Sequence, residues 1–134
     1  METPRGSLFA LRRDRGAGRC RRAFRRAIRL HHQGIPMPAP LGLFWGPGGT
    51  LVYVSEWCDD LVAWPDSMAE AADPLGVAAA LATLLARVHE AGFVCGDPCT
   101  DLAVRARCRG GSPVVLRVER LRRAWGWGRD DRDL

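Results

Sequence analysis

The chain has 134 residues, 47% of them hydrophobic, which suits one compact domain with little room for a second and argues against wholesale disorder. Its formal charge of +5 comes from 20 Arg, without a single Lys, against 15 acids. The distribution is a sandwich: residues 1–33 hold ten Arg against Glu2 and Asp14, net +8; residues 34–104 hold Arg87 against nine acids, net −8; residues 105–134 hold nine Arg against four acids, net +5. No stretch reaches the roughly 18–20 apolar residues that cross a bilayer as a helix.

Five Cys make an odd count, and METPRGSLFALRRDR carries no apolar run of signal-peptide length. Free thiols in a reducing cytoplasm are expected. Cys95 and Cys99 are spaced C-x3-C with no second pair or nearby His, which argues against structural zinc. Cys58, Cys95, Cys99 and Cys108 are expected as small apolar fillers.

In chain order, SLFALR (7–12) reads as a strand, broken off by Gly16 and Gly18. CRRAFRRAIRLHHQ (20–33) places Cys20, Phe24, Ala27, Ile28 and His31 at helical spacing, with Arg on the other face. Gly34 fits the helix end, Pro36 forbids continuation, and the His31–His32 pair closes the helix. PLGLFW and TLVYVSE, joined by GPGG, predict a β-hairpin. CDDLVAWPDSMAEAAD predicts a loop or short helix, with Glu56, Asp59 and Asp60 as a solvated acidic run. Asp73 as N-cap and Pro74 at the first position open a helix running to Gly92, apolar on more than one face and therefore expected to be buried. His89, near its end, is expected as a packed structural histidine. Short strands follow at about 102–105 and 114–119, separated by RCRGGS, and RRAWGWGRDDRDL reads as a tail poorly ordered unless docked. The order admits an α+β fold and no finer class.

One segment carries chemistry. LLARVHEAGFVCGDPCTDLAV resembles the helix-to-catalytic-loop passage of kinase-like phosphotransferases, most closely the lipopolysaccharide/Kdo kinase family, where it reads L-H-x-x-G-x-x-H-G-D and then N-hydrophobic-hydrophobic-V. RAFRRAIRLHHQGIPMPAPLGLF is similar to that family's Arg-rich helix leading into G-I-P-x-P-x-P-L before a hairpin, and YVSEW resembles its interlobe connection. The three blocks agree in order and approximate spacing over about residues 8–123. The resemblance implies a shortened protein-kinase-like fold over 1–123, with a partial small lobe (7–56), the start of a large lobe (57–123) and a tail (124–134).

Phosphoryl transfer needs an Asp to orient the acceptor hydroxyl, oxygen ligands for Mg²⁺, and cations on the phosphates. The resemblance puts Asp97 at the catalytic Asp and Asp101 at the metal-binding Asn. Cys95 stands where a His braces the loop. Arg12 takes the phosphate-binding Lys position, and Glu56 lies at the interlobe contact to nucleotide. The metal-binding Asp of the next strand falls on Arg117, where a cation opposes a divalent ion and removes an oxygen ligand. Glu119 is the remaining acid there, about 6–7 Å along the strand. Helix 20–33 contains no acid to pair with Arg12, and six residues leave no room for a phosphate-covering loop before strand 7–12.

The implied function is therefore a catalytically impaired pseudokinase. One alternative is residual ATP- and Mg²⁺-dependent transfer to a sugar hydroxyl of lipopolysaccharide core. The other is an Arg-rich module that binds polyanions such as lipopolysaccharide or an acidic membrane surface, with nucleic acid disfavoured because no recognised motif accompanies the charge. The expected location is the cytoplasm, with peripheral attachment at the inner membrane as a variant. The shortened large lobe predicts an uncovered apolar surface and a protein partner.

Overall fold

Small local signals decide where the elements begin and end. The computed structural model describes residues 9–13, 17–106 and 112–124. Strand β1 (Phe9–Arg13) is followed by helix α1 (Ala17–His32), which begins three residues ahead of the expected start. Cys20, Ala23, Ala27 and Leu30 recur every three to four residues and are the buried stripe of α1. Gly34, at φ +73°, ends the helix as expected. Its amide donates to His31 O at 2.9 Å and that of Ile35 to Leu30 O at 3.0 Å, while Leu30 and Ile35 pack together in the core.

The predicted hairpin is present: β2 (Pro40–Trp45) and β3 (Leu51–Glu56) are antiparallel across a 3-10 turn at Pro47–Gly49. β1 pairs along the other edge of β3, giving the sheet order β1-β3-β2. α1 lies against this sheet, its Phe24 ring edge-on to Tyr53 at 5.5 Å between centroids.

The acidic linker is more ordered than a loop. β4 (Leu61–Ala63) and the short helix α2 (Trp64–Glu70) occupy it, and Asp60 is buried, with Arg105 Nη2 3.4 Å from Asp60 Oδ1. The solvated-run expectation fails there because Asp60 abuts β6 (Leu102–Arg105), the partner of β4.

Helix α3 (Pro74–Glu90) opens on the expected cap, Gly76 N donating to Asp73 Oδ1 at 3.0 Å. Only one of its faces is buried, that of Val77, Leu81, Leu84 and Val88, whereas Leu75 is 82% exposed. The opposite face is mostly alanine, apolar by composition but small enough to leave in water. His89 lies about 100° round from Val88 and is exposed, not packed as expected.

After α3 come β5 (Phe93–Val94), the one-turn helix α4 (Pro98–Asp101), β6 and β7 (Ser112–Val115). The sheet order β4-β6-β7 is antiparallel throughout. The strand expected to reach Glu119 stops at Val115, and Val118–Arg120 is a 3-10 turn. β8 (Arg122–Arg123) pairs with β5, so the described chain runs three residues, to Ala124, into the expected tail. Residues 125–134, the rest of that tail, and Cys108 lie outside the described residues.

The architecture is α+β, with small antiparallel sheets and four helices among the described residues. One core joins the parts: Leu30, Met37 and Tyr53 share it with Val77, Leu84 and Val88 of α3 and Val104, Val115 and Val118 beyond. Fully burying each such side chain contributes roughly 1.5–3 kcal/mol. Among the described residues no helix is long and apolar enough to cross a membrane.

Candidate functional site

The site is built on the turn from β5 into α4. Asp97 is the N-cap of α4: Cys99 N donates to Asp97 Oδ1 at 3.2 Å and Thr100 Oγ1 to Asp97 Oδ2 at 2.8 Å. Pro98 suits the first helical position, since it has no amide to satisfy. Trp64 of α2 fixes the turn from outside, its Nε1 donating to Pro98 O at 2.9 Å. Asp97 itself is partly exposed.

Asp101, four residues on, is 0% exposed. Its Oδ2 accepts from Asp97 N at 3.1 Å and from the Cys95 thiol at 3.7 Å. Its Oδ1 lies 3.4 Å from Thr100 Oγ1, whose single proton is directed to Asp97, and meets Arg120 Nε at 3.2 Å. A buried carboxylate needs such partners, because uncompensated burial of charge is very costly. Arg120 also donates from Nη1 to Thr100 Oγ1 at 3.1 Å, closing the ring on the Asp97 side. Burial, followed by the Asp101 carboxylate, pushes the Cys95 thiol up to about 11.

Asp101 also organises the chain after β7. Its backbone carbonyl accepts from Leu116 N at 2.8 Å and Arg117 N at 3.3 Å. Those amides are therefore taken by Asp101 instead of a neighbouring strand, which is why β7 ends and Val118 (4% exposed) turns into the core. Arg26 of α1 holds the same segment from the other side. Its Nη1 donates to Val118 O at 3.2 Å and Leu121 O at 2.7 Å, and its guanidinium lies 5.2 Å from the Phe93 ring centroid.

The sequence-derived residues are thus placed unequally. Asp97 and Asp101 come together, and the backbone of Arg117 joins them. Glu119 is exposed on the 3-10 turn, where the strand spacing assumed for it does not apply. Glu56 ends β3, and its Oε2 accepts from Ala39 N at 3.3 Å. Arg12 sits in β1 opposite Tyr53 in register. Cys99 is exposed, so the filler expectation fails for it; Cys20 is buried, and Cys58 and Cys95 partly so. Arg26, Trp64 and Thr100 were not singled out from the sequence. Only Thr100 had a local signal, an Asp three residues before it at a helix start.

As arranged, these residues do not fit a Mg²⁺ ion. Both oxygens of Asp101 are engaged by the chain's own donors, and the Arg120 guanidinium brings positive charge where oxygen ligands are needed. Among the described residues no group of three or more His, Cys, Asp or Glu is arranged to hold a metal. Comparison with family models, with curated proteins and with solved structures gave no match.

Proposed function

We propose that this chain is a kinase-like protein of the lipopolysaccharide/Kdo kinase type whose phosphoryl-transfer chemistry is impaired, a pseudokinase. The observation that carries the reading is the convergence of Asp97, Asp101 and the Arg117 backbone, with Arg120 on the Asp101 carboxylate. The resemblance assigns 97, 101 and 117 to one phosphoryl-transfer site, although 117 is 16 residues beyond 101. A pair of hydrogen bonds to Asp101 O brings these positions together. The Arg120 guanidinium then sits on the carboxylate to which that chemistry would bring a divalent ion.

The helix α1 against β1-β3-β2, followed by α3, the Asp97 turn and the β6–β7 hairpin, supports the same reading. In it, residues 7–56 are the partial small lobe and 57–123 the partial large lobe of a cytoplasmic protein. The bland account of Asp97, a helix N-cap, is met as well. The two are compatible, since a cap holds the loop that presents the residue.

Residual transfer to a sugar hydroxyl, using ATP and Mg²⁺, is the second reading. It is favoured by the partial exposure of Asp97. Turnover of ATP in the presence of Mg²⁺ separates the two. The proposal expects none above background, whereas turnover abolished by Asp97→Asn establishes the second reading in its place.

A further inference from the structure

Helix α1 carries six Arg and no acid. Arg26 turns inward, as described above, but Arg19, Arg21, Arg22, Arg25 and Arg29 are exposed. Arg21, Arg25 and Arg29 follow one another at four-residue spacing, about 6 Å of rise apart, so they line one side of the helix. Like charges at that spacing oppose helix formation, and no acid in the first turn offsets the macrodipole. The helix is stabilised by its packing and presents this row of Arg side chains to solvent.

This stripe does not end at the helix. The Arg21 guanidinium lies 5.7 Å from the centroid of the Trp45 ring, which is 63% exposed at the end of β2. β2 is an edge strand of its sheet, and Leu41 and Phe44 on it are exposed too, Phe44 on the opposite face of the sheet from Trp45. Cations next to an exposed indole with apolar neighbours are suited to the headgroup region of a bilayer. Single-stranded nucleic acid could use the Arg and the aromatic rings, but Leu41 has no π-face to stack a base.

We infer that the exposed face of α1 and the adjoining β2 edge form a docking surface for a membrane rich in anionic phospholipid. The apolar stripe of α1 is committed to the core through Cys20, Ala23, Ala27 and Leu30, so the helix does not insert. Contact is at headgroup depth, with Trp45 reaching furthest in. This inference is independent of the nucleotide reading.

The test is co-sedimentation of the full chain with phosphatidylcholine vesicles, with and without phosphatidylglycerol. Binding is expected only when phosphatidylglycerol is present, and is released as salt rises from about 0.1 M to about 1 M and the screening length falls from about 10 Å to about 3 Å. The triple variant R21Q/R22Q/R29Q binds roughly a hundredfold more weakly, about fivefold for each Arg. Trp45→Ala, at an exposed edge, weakens binding severalfold while thermal unfolding shows the variant still folded. Binding to neither vesicle, equal binding to both, or variants that bind as the unaltered chain does would overturn the inference. Tighter binding to a single-stranded oligonucleotide at the same salt also overturns it and assigns the face to nucleic acid.

Discussion

Arg120 Nε lies 3.2 Å from Asp101 Oδ1, and the two ends of that ion pair differ sharply in environment. The Asp101 side chain is fully buried, whereas the Arg120 side chain is 44% exposed. The guanidinium thus brings charge in from the surface to a carboxylate that has no access to water. The backbone carbonyl of that aspartate also holds Leu116 and Arg117. The pair is therefore a structural joint between the Asp97 turn and the chain leaving β7.

Removing the Arg end leaves that carboxylate buried without its cation. Arg120→Ala is expected to cost about 3 kcal/mol in urea unfolding, at the low end for a broken buried pair because the arginine is partly exposed. Asp101→Asn keeps an acceptor for Asp97 N and is expected to cost about 1–2 kcal/mol. In the Asp101→Asn background, Arg120→Ala should cost less than about 1 kcal/mol, since the charge it served is gone. Additive losses in this double-mutant cycle would show that the pair is not coupled.

Arg26 ties α1 to the same segment through two carbonyls and the Phe93 ring. Arg26→Met keeps the apolar stem and removes the charge-assisted hydrogen bonds, at an expected cost of about 2–3 kcal/mol. Arg26→Lys recovers only part of this, because the compact, strongly hydrated ammonium lacks the flat guanidinium that lies against the Phe93 ring. Equal stability of the Lys variant and the unaltered chain would contradict the geometry.

What was legible in the sequence, and what was not, divides by the range of the interaction. The Asp73–Pro74 start, the Gly34 stop, the GPGG hairpin and the Asp97 turn are all written within four or five residues, and each is where the local chemistry put it. β4 and β8 have three and two residues, and exist because Val62 meets Val104 and Phe93 meets Arg123 from far along the chain. No period can reveal strands that short. Among the Arg of α1, the inward turn of Arg26 depends on carbonyls 92 and 95 residues away. Asp60 looked like one of several acids in a polar run, until Arg105 gave it a reason to be buried. The convergence at Asp101 was not legible, since spacing alone places Leu116 and Arg117 on a strand that ends before them at Val115.

The Cys95 thiol gives a prediction in pH. Burial and the nearby Asp101 carboxylate raise it to about 11 from an ordinary value near 9. Ionisation is thus easier in the unfolded chain than in the folded one. The contribution to stability is fully present below pH 9 and is lost as pH rises through about 11. Cys95→Ser should flatten that alkaline decline in thermal unfolding midpoints measured between about pH 8 and 11. An unchanged decline would assign it to other groups.

The central claim, a kinase-like site in which arginine stands in place of a metal, is tested most directly by thermal unfolding with ATP, with and without Mg²⁺. A ligand that binds only the folded state at a hundredfold excess over Kd stabilises it by about 2.7 kcal/mol. The account predicts no Mg²⁺-dependent rise for the unaltered chain. It predicts one for Arg117→Asp, which replaces a cation by a hard oxygen ligand at the position the resemblance assigns to the second metal-binding Asp. A Mg²⁺-dependent rise in the unaltered chain would contradict the impairment, and an Arg117→Asp variant as inert as its parent would contradict the kinase-like reading itself.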